Sequence, residues 1–444
     1  MNERSDPSAR QLAEDLLDAR TRTLELVADL TDKQLMGPRL PIVNPLRWEI
    51  GHLAWFQEKW LLRHLRGENS LRSDADSLYD SFNVPHDTRW SLPLPSRAET
   101  LAYMKAVLDS VLERLRSDPL DAETIYFHRM VTFHEDMHGE AFTYTRQTLG
   151  YPPPQLGTLR GNPARHVRPD EREEGPLAGD VDVPGGAYLL GATKDAPFVF
   201  DNEKWAHPVE LKPFRIARAA VTQADFSQFV DGGGYELREF WSPAGWEWLE
   251  EEEACSPVYW KREANGTWMR RVFDSWRQLE PHLPVIHVNW HEAQAYCRWA
   301  GRRLPTEAEW EMAASLEPAT GSAASQRKRS FPWGDEPPSL DRANLDALRL
   351  GCLDAGALPA GDSPFGCRQM MGNVWEWTAD DFEPYPGFVA DPYREYSEPW
   401  FGGAYKVLRG SCWATRSRLI RNTFRNFYSP ERRDVLAGFR TCAL

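Results

Sequence analysis

No stretch of this sequence approaches the ~18 consecutive apolar residues that would span a bilayer, which excludes a helical membrane segment. It also lacks a block of Lys and Arg. With 52 basic against 66 acidic residues the net charge is -14, and the concentrated positive patch that a nucleic-acid partner needs is missing. The opening segment MNERSDPSARQ lacks the apolar core of a secretory signal, so a cytoplasmic protein is expected. Cysteine pairs in C-x-x-C spacing are absent too: the six cysteines (Cys255, Cys297, Cys352, Cys367, Cys412, Cys442) are scattered over the second half. Free thiols are the expectation, rather than disulfides or a zinc knuckle.

What is present is material for large cores: 444 residues, 41% apolar and 27% charged, which points to two globular domains or one large one. Tryptophan is abundant, with 19 copies, suiting aromatic cores and also pockets for cations. The first 150 residues read as four helices. Leucines at helical spacing mark 8–30, and Asn44-Pro45 opens a second helix running to Gly67. Ser96-Arg97-Ala98-Glu99 is a capping box for a third. A fourth runs from about Asp121 to Leu149 and ends at Gly150, followed by three prolines. Such helices form a bundle, and bundles place metal ligands on inward faces. Residues 151–180 are rich in Pro, Gly and charge and read as a linker. From 181 to 444 short strands alternate with irregular loops, with helical stretches at 222–230, at 291–300 and after Thr306.

The fourth helix carries HEDMHGE at 134–140. His134 and His138 are one helical turn apart and can reach one ion. The letters also satisfy H-E-x-x-H, the zinc-protease signature with Glu135 as general base. The longer form of that signature would need glycine at 141 and histidine at 144, where Ala141 and Tyr144 stand. A third imidazole is available from His52, on the second helix among Trp48, Trp55 and Phe56. If the two helices pack, His52, His134 and His138 converge and leave open coordination positions, as a catalytic metal needs. A satisfied core histidine is the bland alternative for His52.

The second half resembles the formylglycine-generating-enzyme-like domain, a C-type-lectin-related fold, through GRRLPTEAEWE, FPWG, MGNVWEW, VLRGSCW and AGFR in that order. The cysteine pair of the formylglycine-generating enzymes is missing from the corresponding stretch WATRSRLIRN, which argues against that activity. A helical domain with one histidine on its second helix and H-x-x-x-H-x-E on its fourth, fused to such a domain, resembles the ergothioneine-biosynthesis sulfoxide synthases along the whole chain. The resemblance implies an α+β protein: a DinB-like four-helix bundle (1–150), a linker (151–180) and a C-type-lectin-like domain (181–444). It further implies that His52, His134 and His138 hold iron(II), and that O2 serves as co-substrate. The reaction it implies joins a thiol or selenol donor to C2 of the imidazole of hercynine, trimethylhistidine, at a site where the two domains meet. A structural calcium in the loops of the second domain is an option that the sequence leaves open.

By the same resemblance, Tyr393 matches a proton-donating tyrosine. Tyr396, Asn426 and Phe427 match the pocket for the trimethylammonium group, for which aromatic faces are worth ~1 to 2 kcal/mol each when desolvated. Arg432 matches an arginine that grips a donor carboxylate, and Arg89, in SFNVPHDTRWS, is a candidate for the donor site. Two positions depart from the γ-glutamylcysteine users of the family. Tyr428 stands where they have an aspartate, and Met137 stands between the histidines where they have glutamine. Tyr428 removes a carboxylate that would pair with a donor ammonium, favouring the selenoneine-synthase branch and its selenosugar donor. Ergothioneine-type synthesis from a cysteine-derived thiol stands beside it. Two other classes stay open at this point: a non-catalytic module that binds a small cation, and a zinc hydrolase.

Overall fold

A computed structural model of the chain describes residues 7–157, 175–318 and 327–444. The chain divides into two compact units, Met1–Gly161 and Asn162–Leu444. Of the expected linker, residues 158–174 lie outside the described residues.

The first unit is helical. Its long elements are α1 (Ala9–Val27), α3 (Leu46–Gln57), α5 (Arg97–Ser117) and α6 (Ala122–Leu149), with the single-turn helices α2 (Asp32–Met36) and α4 (Ala75–Tyr79) between them. Local chemistry sets the ends. Ser8 Oγ accepts from Gln11 N at 3.1 Å at the start of α1. Ser96 and Glu99 cap each other's backbone N–H at 3.3 and 2.8 Å. Asp121 caps Thr124 N at 2.8 Å, and Gly150, at φ 64°, closes α6 in the left-handed conformation that a Cβ would disfavour. The second long helix departs from expectation. Instead of continuing as α-helix to Gly67 it passes into a π-helical segment, Glu58–His64. The wider turn keeps Glu58 in the interior, where its carboxylate accepts from Leu71 N at 2.8 Å and from the Tyr103 hydroxyl.

α1 packs on α6, and α3 packs on both α5 and α6. The inward stripe includes Leu12, Leu16, Leu26, Trp48, Phe56, Val107, Phe127 and Phe142, all buried. Each such side chain contributes roughly 1.5–3 kcal/mol on leaving water.

The second unit mixes short strands and helices. One sheet has the order β1 (Asp180–Val183), β4 (Phe214–Ala217), β13 (Cys442–Ala443), β8 (Arg302–Arg303), so the last strand of the chain pairs beside one of the first, with Cys442 opposite Ile216. The other has the order β11 (Asn426–Tyr428), β10 (Lys406–Arg409), β9 (Trp375–Asp381), β12 (Ala437–Gly438). A hairpin of β2 (Gly186–Leu190) and β3 (His207–Leu211) and a meander of β5 (Trp260–Arg262), β6 (Trp268–Val272) and β7 (Ser275–Gln278) complete it. The expected helices are Gln223–Asp231, Trp290–Trp299 and Glu307–Ser315, the last started by Thr306 accepting from Glu309 N at 3.1 Å. The helix Pro243–Glu251 and the meander go beyond what the sequence pattern indicated.

The core between the second sheet and helix Glu307–Ser315 is ionic as well as apolar. Arg409, fully buried, donates to Glu307 at 2.7 Å and Glu311 at 2.6 Å. Arg425 donates to Glu307 at 2.7 Å, and Arg440 and Trp310 donate to Glu376 at 2.6 and 2.7 Å. All six cysteines are free. Among the described residues no helix is long and apolar enough to cross a membrane.

Candidate metal centre and aromatic cluster

Helices α3 and α6 bring three imidazoles together. One nitrogen of each of His52, His134 and His138 lies within 4.8 Å of the other two, and His52 Nε2 is 3.4 Å from His134 Nε2. Among the described residues this is the one group of three or more His, Cys, Asp or Glu side chains so arranged; no comparable acidic group marks a calcium in the second unit.

The surroundings fix which nitrogen faces the centre. His52 Nδ1 is 2.8 Å from the carbonyl oxygen of Tyr79, which can only accept, so Nδ1 carries the proton and Nε2 presents its lone pair. His138 Nδ1 is 3.1 Å from Glu49 Oε1, and the same logic turns its Nε2 inward. A carboxylate or carbonyl behind a ligating imidazole is the usual means of orienting it. Aromatic rings hold the planes. Trp48 stacks on His52 with centroids 5.0 Å apart and planes 10° from parallel, and Phe56 stacks on His134 at 3.6 Å and 9°. Burial pushes the pKa of His52 and His134 well below the ordinary histidine value, which keeps both rings neutral, the form that binds a metal. Three neutral ligands leave the charge of a divalent ion undiminished and part of its coordination sphere open.

Glu135, the base of a zinc-protease reading, faces another way. Its carboxylate accepts from Arg20 Nε at 2.8 Å and Thr23 Oγ1 at 2.9 Å in a buried ion pair between α1 and α6. Glu140 is buried and lies outside the imidazole group. Met137 sits half-buried between the two histidines of α6.

In the second unit the other expected residues gather around β11. Alternation along the strand puts Phe427 on one face and Asn426 and Tyr428 on the other. Phe427 stacks on Phe382 at 4.0 Å and meets Tyr396 edge-on at 6.3 Å. Tyr396 lies 4.3 Å from Phe200 and 6.0 Å from Tyr393. Asn426 Oδ1 accepts from Phe427 N at 2.9 Å. The Arg432 guanidinium lies over Tyr428 at 5.1 Å and donates to the buried Asp434 at 2.6 and 2.8 Å. Arg89 belongs to the first unit, buried and bonded to Asn44 Oδ1 at 2.7 Å.

Sequence reasoning missed Glu49, the Tyr79 carbonyl, Phe200 and Asp434. Glu49, three residues before His52 on one helix, and Asp434, two after Arg432, were findable from spacing. A backbone carbonyl and a ring more than 190 residues from its partner leave no local signal.

Residues 15–142 match the model of the DinB superfamily, and residues 164–443 match that of the sulfatase-modifying factor enzyme 1-like domain. The chain is thus an α+β protein with a DinB-like helical domain followed by a formylglycine-generating-enzyme-like, C-type-lectin-related domain. The formylglycine-generating enzyme of Streptomyces coelicolor is 33% identical over 61% of this chain and 92% of its own length. Other relatives cover both units. The hercynine oxygenase of Mycolicibacterium thermoresistibile is 41% identical over 98% of this chain and 95% of its own length, and that of Mycobacterium tuberculosis is 39% identical over 98% of each. With both units matched end to end at this identity, the chain belongs to the hercynine oxygenase family.

Proposed function

We propose that this protein is an iron(II)- and O2-dependent enzyme that joins a sulfur or selenium donor to C2 of the imidazole of hercynine. The observation that carries this reading is the group of three oriented imidazoles in a chain whose full-length relatives are named hercynine oxygenases. His52, His134 and His138 would hold the metal. When bound, iron(II) supplies redox chemistry and open positions for O2, an anionic donor and the substrate ring. With a thiol donor the atoms balance: one oxygen of O2 ends in a sulfoxide and the other in water, which takes the hydrogens from C2 and from the thiol.

The protein's own groups bind and orient. A quaternary ammonium cannot donate a conventional hydrogen bond, so the rings of Tyr396 and Phe427 beside Asn426 suit the trimethylammonium end. Tyr393 holds a phenolic proton at its hydroxyl, available to the oxygen chemistry. Arg432, held by Asp434, is the residue we assign to a donor carboxylate. Tyr428 gives the donor no carboxylate for an ammonium group, which favours a selenosugar over γ-glutamylcysteine; Met137 adds a soft neighbour for sulfur or selenium.

Anaerobically purified protein given iron(II), hercynine and O2, with cysteine, γ-glutamylcysteine or a selenosugar in turn, is expected to yield an imidazole-coupled product by mass. Product with the selenosugar and little with γ-glutamylcysteine supports the donor assignment. No coupled product with any donor refutes the enzyme, and tight zinc in place of air-sensitive iron would return the hydrolase reading.

A further inference from the structure

Arg89 is a buried charge whose bonded partners are all neutral. Its Nη1 donates to Asn44 Oδ1 at 2.7 Å, and its Nη2 to the carbonyls of Ser81 at 2.9 Å and Val84 at 3.1 Å. Burial lowers its pKa to about 10, which leaves it protonated at neutral pH.

Two lines of contact run from this guanidinium to the imidazole group. Along the first, Asn44 Nδ2 donates to Glu49 Oε1 at 3.4 Å, and the same oxygen accepts from His138 Nδ1 at 3.1 Å. Along the second, the guanidinium carbon lies 3.9 Å from the centroid of the Trp48 ring, which stacks on His52. Two buried atoms on these lines, Arg89 Nε and Glu49 Oε2, have no hydrogen-bond partner. An unmet buried donor or acceptor costs on the order of 1–3 kcal/mol, more when charged. The bonds to Asn44, Ser81 and Val84 tie this loop to the start of α3, and the contacts of Asn44 and Trp48 carry that tie on to the imidazole group.

We propose that Arg89 is a positioning residue for the metal centre: through Asn44 it sets Glu49 against His138, and through Trp48 it holds the plane of His52. This rests on the metal reading above, and it assigns Arg89 to the ligands rather than to the donor.

The test uses the full chain titrated with Co(II) under anaerobic conditions, following visible absorption and Kd, with hercynine-coupling kinetics measured separately. Arg89→Lys keeps the charge but loses the planar fork and the stack. The Kd for Co(II) is expected to rise about 10- to 100-fold, as for loss of groups that orient ligands, with shifted absorption bands. Asn44→Ala should act in the same direction, and the double variant should be weaker than Arg89→Lys by no more than roughly threefold, because Asn44 lies on one of the two lines that Arg89 already supports. Circular dichroism identifies variants that fold; if Arg89→Lys does not, Asn44→Ala decides alone. Wild-type Kd and spectrum in the folded variants overturn the inference, as does a raised donor KM with unchanged Co(II) binding. Failure of the unsubstituted protein to bind Co(II) would instead refute the metal reading itself.

Discussion

The imidazole group of the first unit and the aromatic cluster of the second reach order by different means. In the bundle, helix pitch does most of the work. His134 and His138 are one turn apart on α6, Glu49 and His52 are three residues apart on α3, and one helix crossing completes the set. In the second unit the residues sit on a three-residue strand and on turns, which have little rigidity of their own. Their precision comes from long-range pairs: Ser397 donates to Asp201 at 2.5 Å, Arg421 to Glu203 at 2.7 Å and Arg425 to Glu307 at 2.7 Å, each spanning more than 100 residues of chain. A change in the first unit should therefore act on metal binding, and one in the second on stability as well as on binding.

The largest expected effect is removal of a metal ligand. His134→Ala should lower metal affinity by more than the roughly 10- to 100-fold that supporting groups are worth and abolish coupling activity, with helical content unchanged. Metal analysis beside far-ultraviolet circular dichroism checks it; retained metal at wild-type affinity would refute the three-ligand centre. Next is the ionic core of the second unit. Arg409→Met strips Glu307 and Glu311 of a fully buried partner and should destabilise the protein by about 3–5 kcal/mol in urea unfolding. A loss under about 1 kcal/mol would mean that the apolar packing, not the ion network, holds this unit.

The same contrast decides how much was legible in the sequence. The four long helices, their caps and the histidine pair follow from periodicity and from residues within four positions of one another. The π-helical segment escaped because Leu71 and Tyr103, the partners of Glu58 within it, lie 13 and 45 residues away and leave no local pattern. In the second unit, long motifs identified the fold by resemblance, yet no local pattern indicated that Phe200 would stand beside Tyr396 or that Asp201 would meet Ser397. Arg89 stands out in the sequence, but its partner does not: Asn44 lies 45 positions away, just before α3.

A smaller effect depends on pH. Burial raises the pKa of Asp201 from 3.8 to about 6. A group whose folded pKa exceeds its unfolded one adds stability that is present below the unfolded value and lost as pH rises through the folded value. Asp201 should therefore cost the protein up to about 3 kcal/mol as pH climbs from 4 to above 6, at 1.36 kcal/mol per pKa unit. Asp201→Asn keeps an acceptor for Ser397 and removes the titration. The stability of the variant relative to wild type is expected to rise across pH 4–6 and then level off; a flat difference in urea midpoints would show that Asp201 titrates normally.

The smallest effect joins packing to the metal centre. Gly51 precedes His52 on α3, and a Cβ built there would lie 2.2 Å from the ring of Tyr79. That ring is fully buried and has little space to retreat, so Gly51→Ala should cost about 1–3 kcal/mol by overpacking, against the gain in helix propensity of roughly 1 kcal/mol. The displacement does not stop at the ring. The Tyr79 carbonyl is the acceptor that fixes the His52 tautomer, so a shift of Tyr79 lengthens the 2.8 Å bond and frees the imidazole to turn. Metal affinity should fall together with stability in this variant. Gly51→Ala combined with Tyr79→Leu, which removes the ring atoms that lie 2.2 and 2.4 Å from the added carbon, should recover part of the metal affinity. Loss of stability with unaltered metal affinity would show that the carbonyl is not what orients His52.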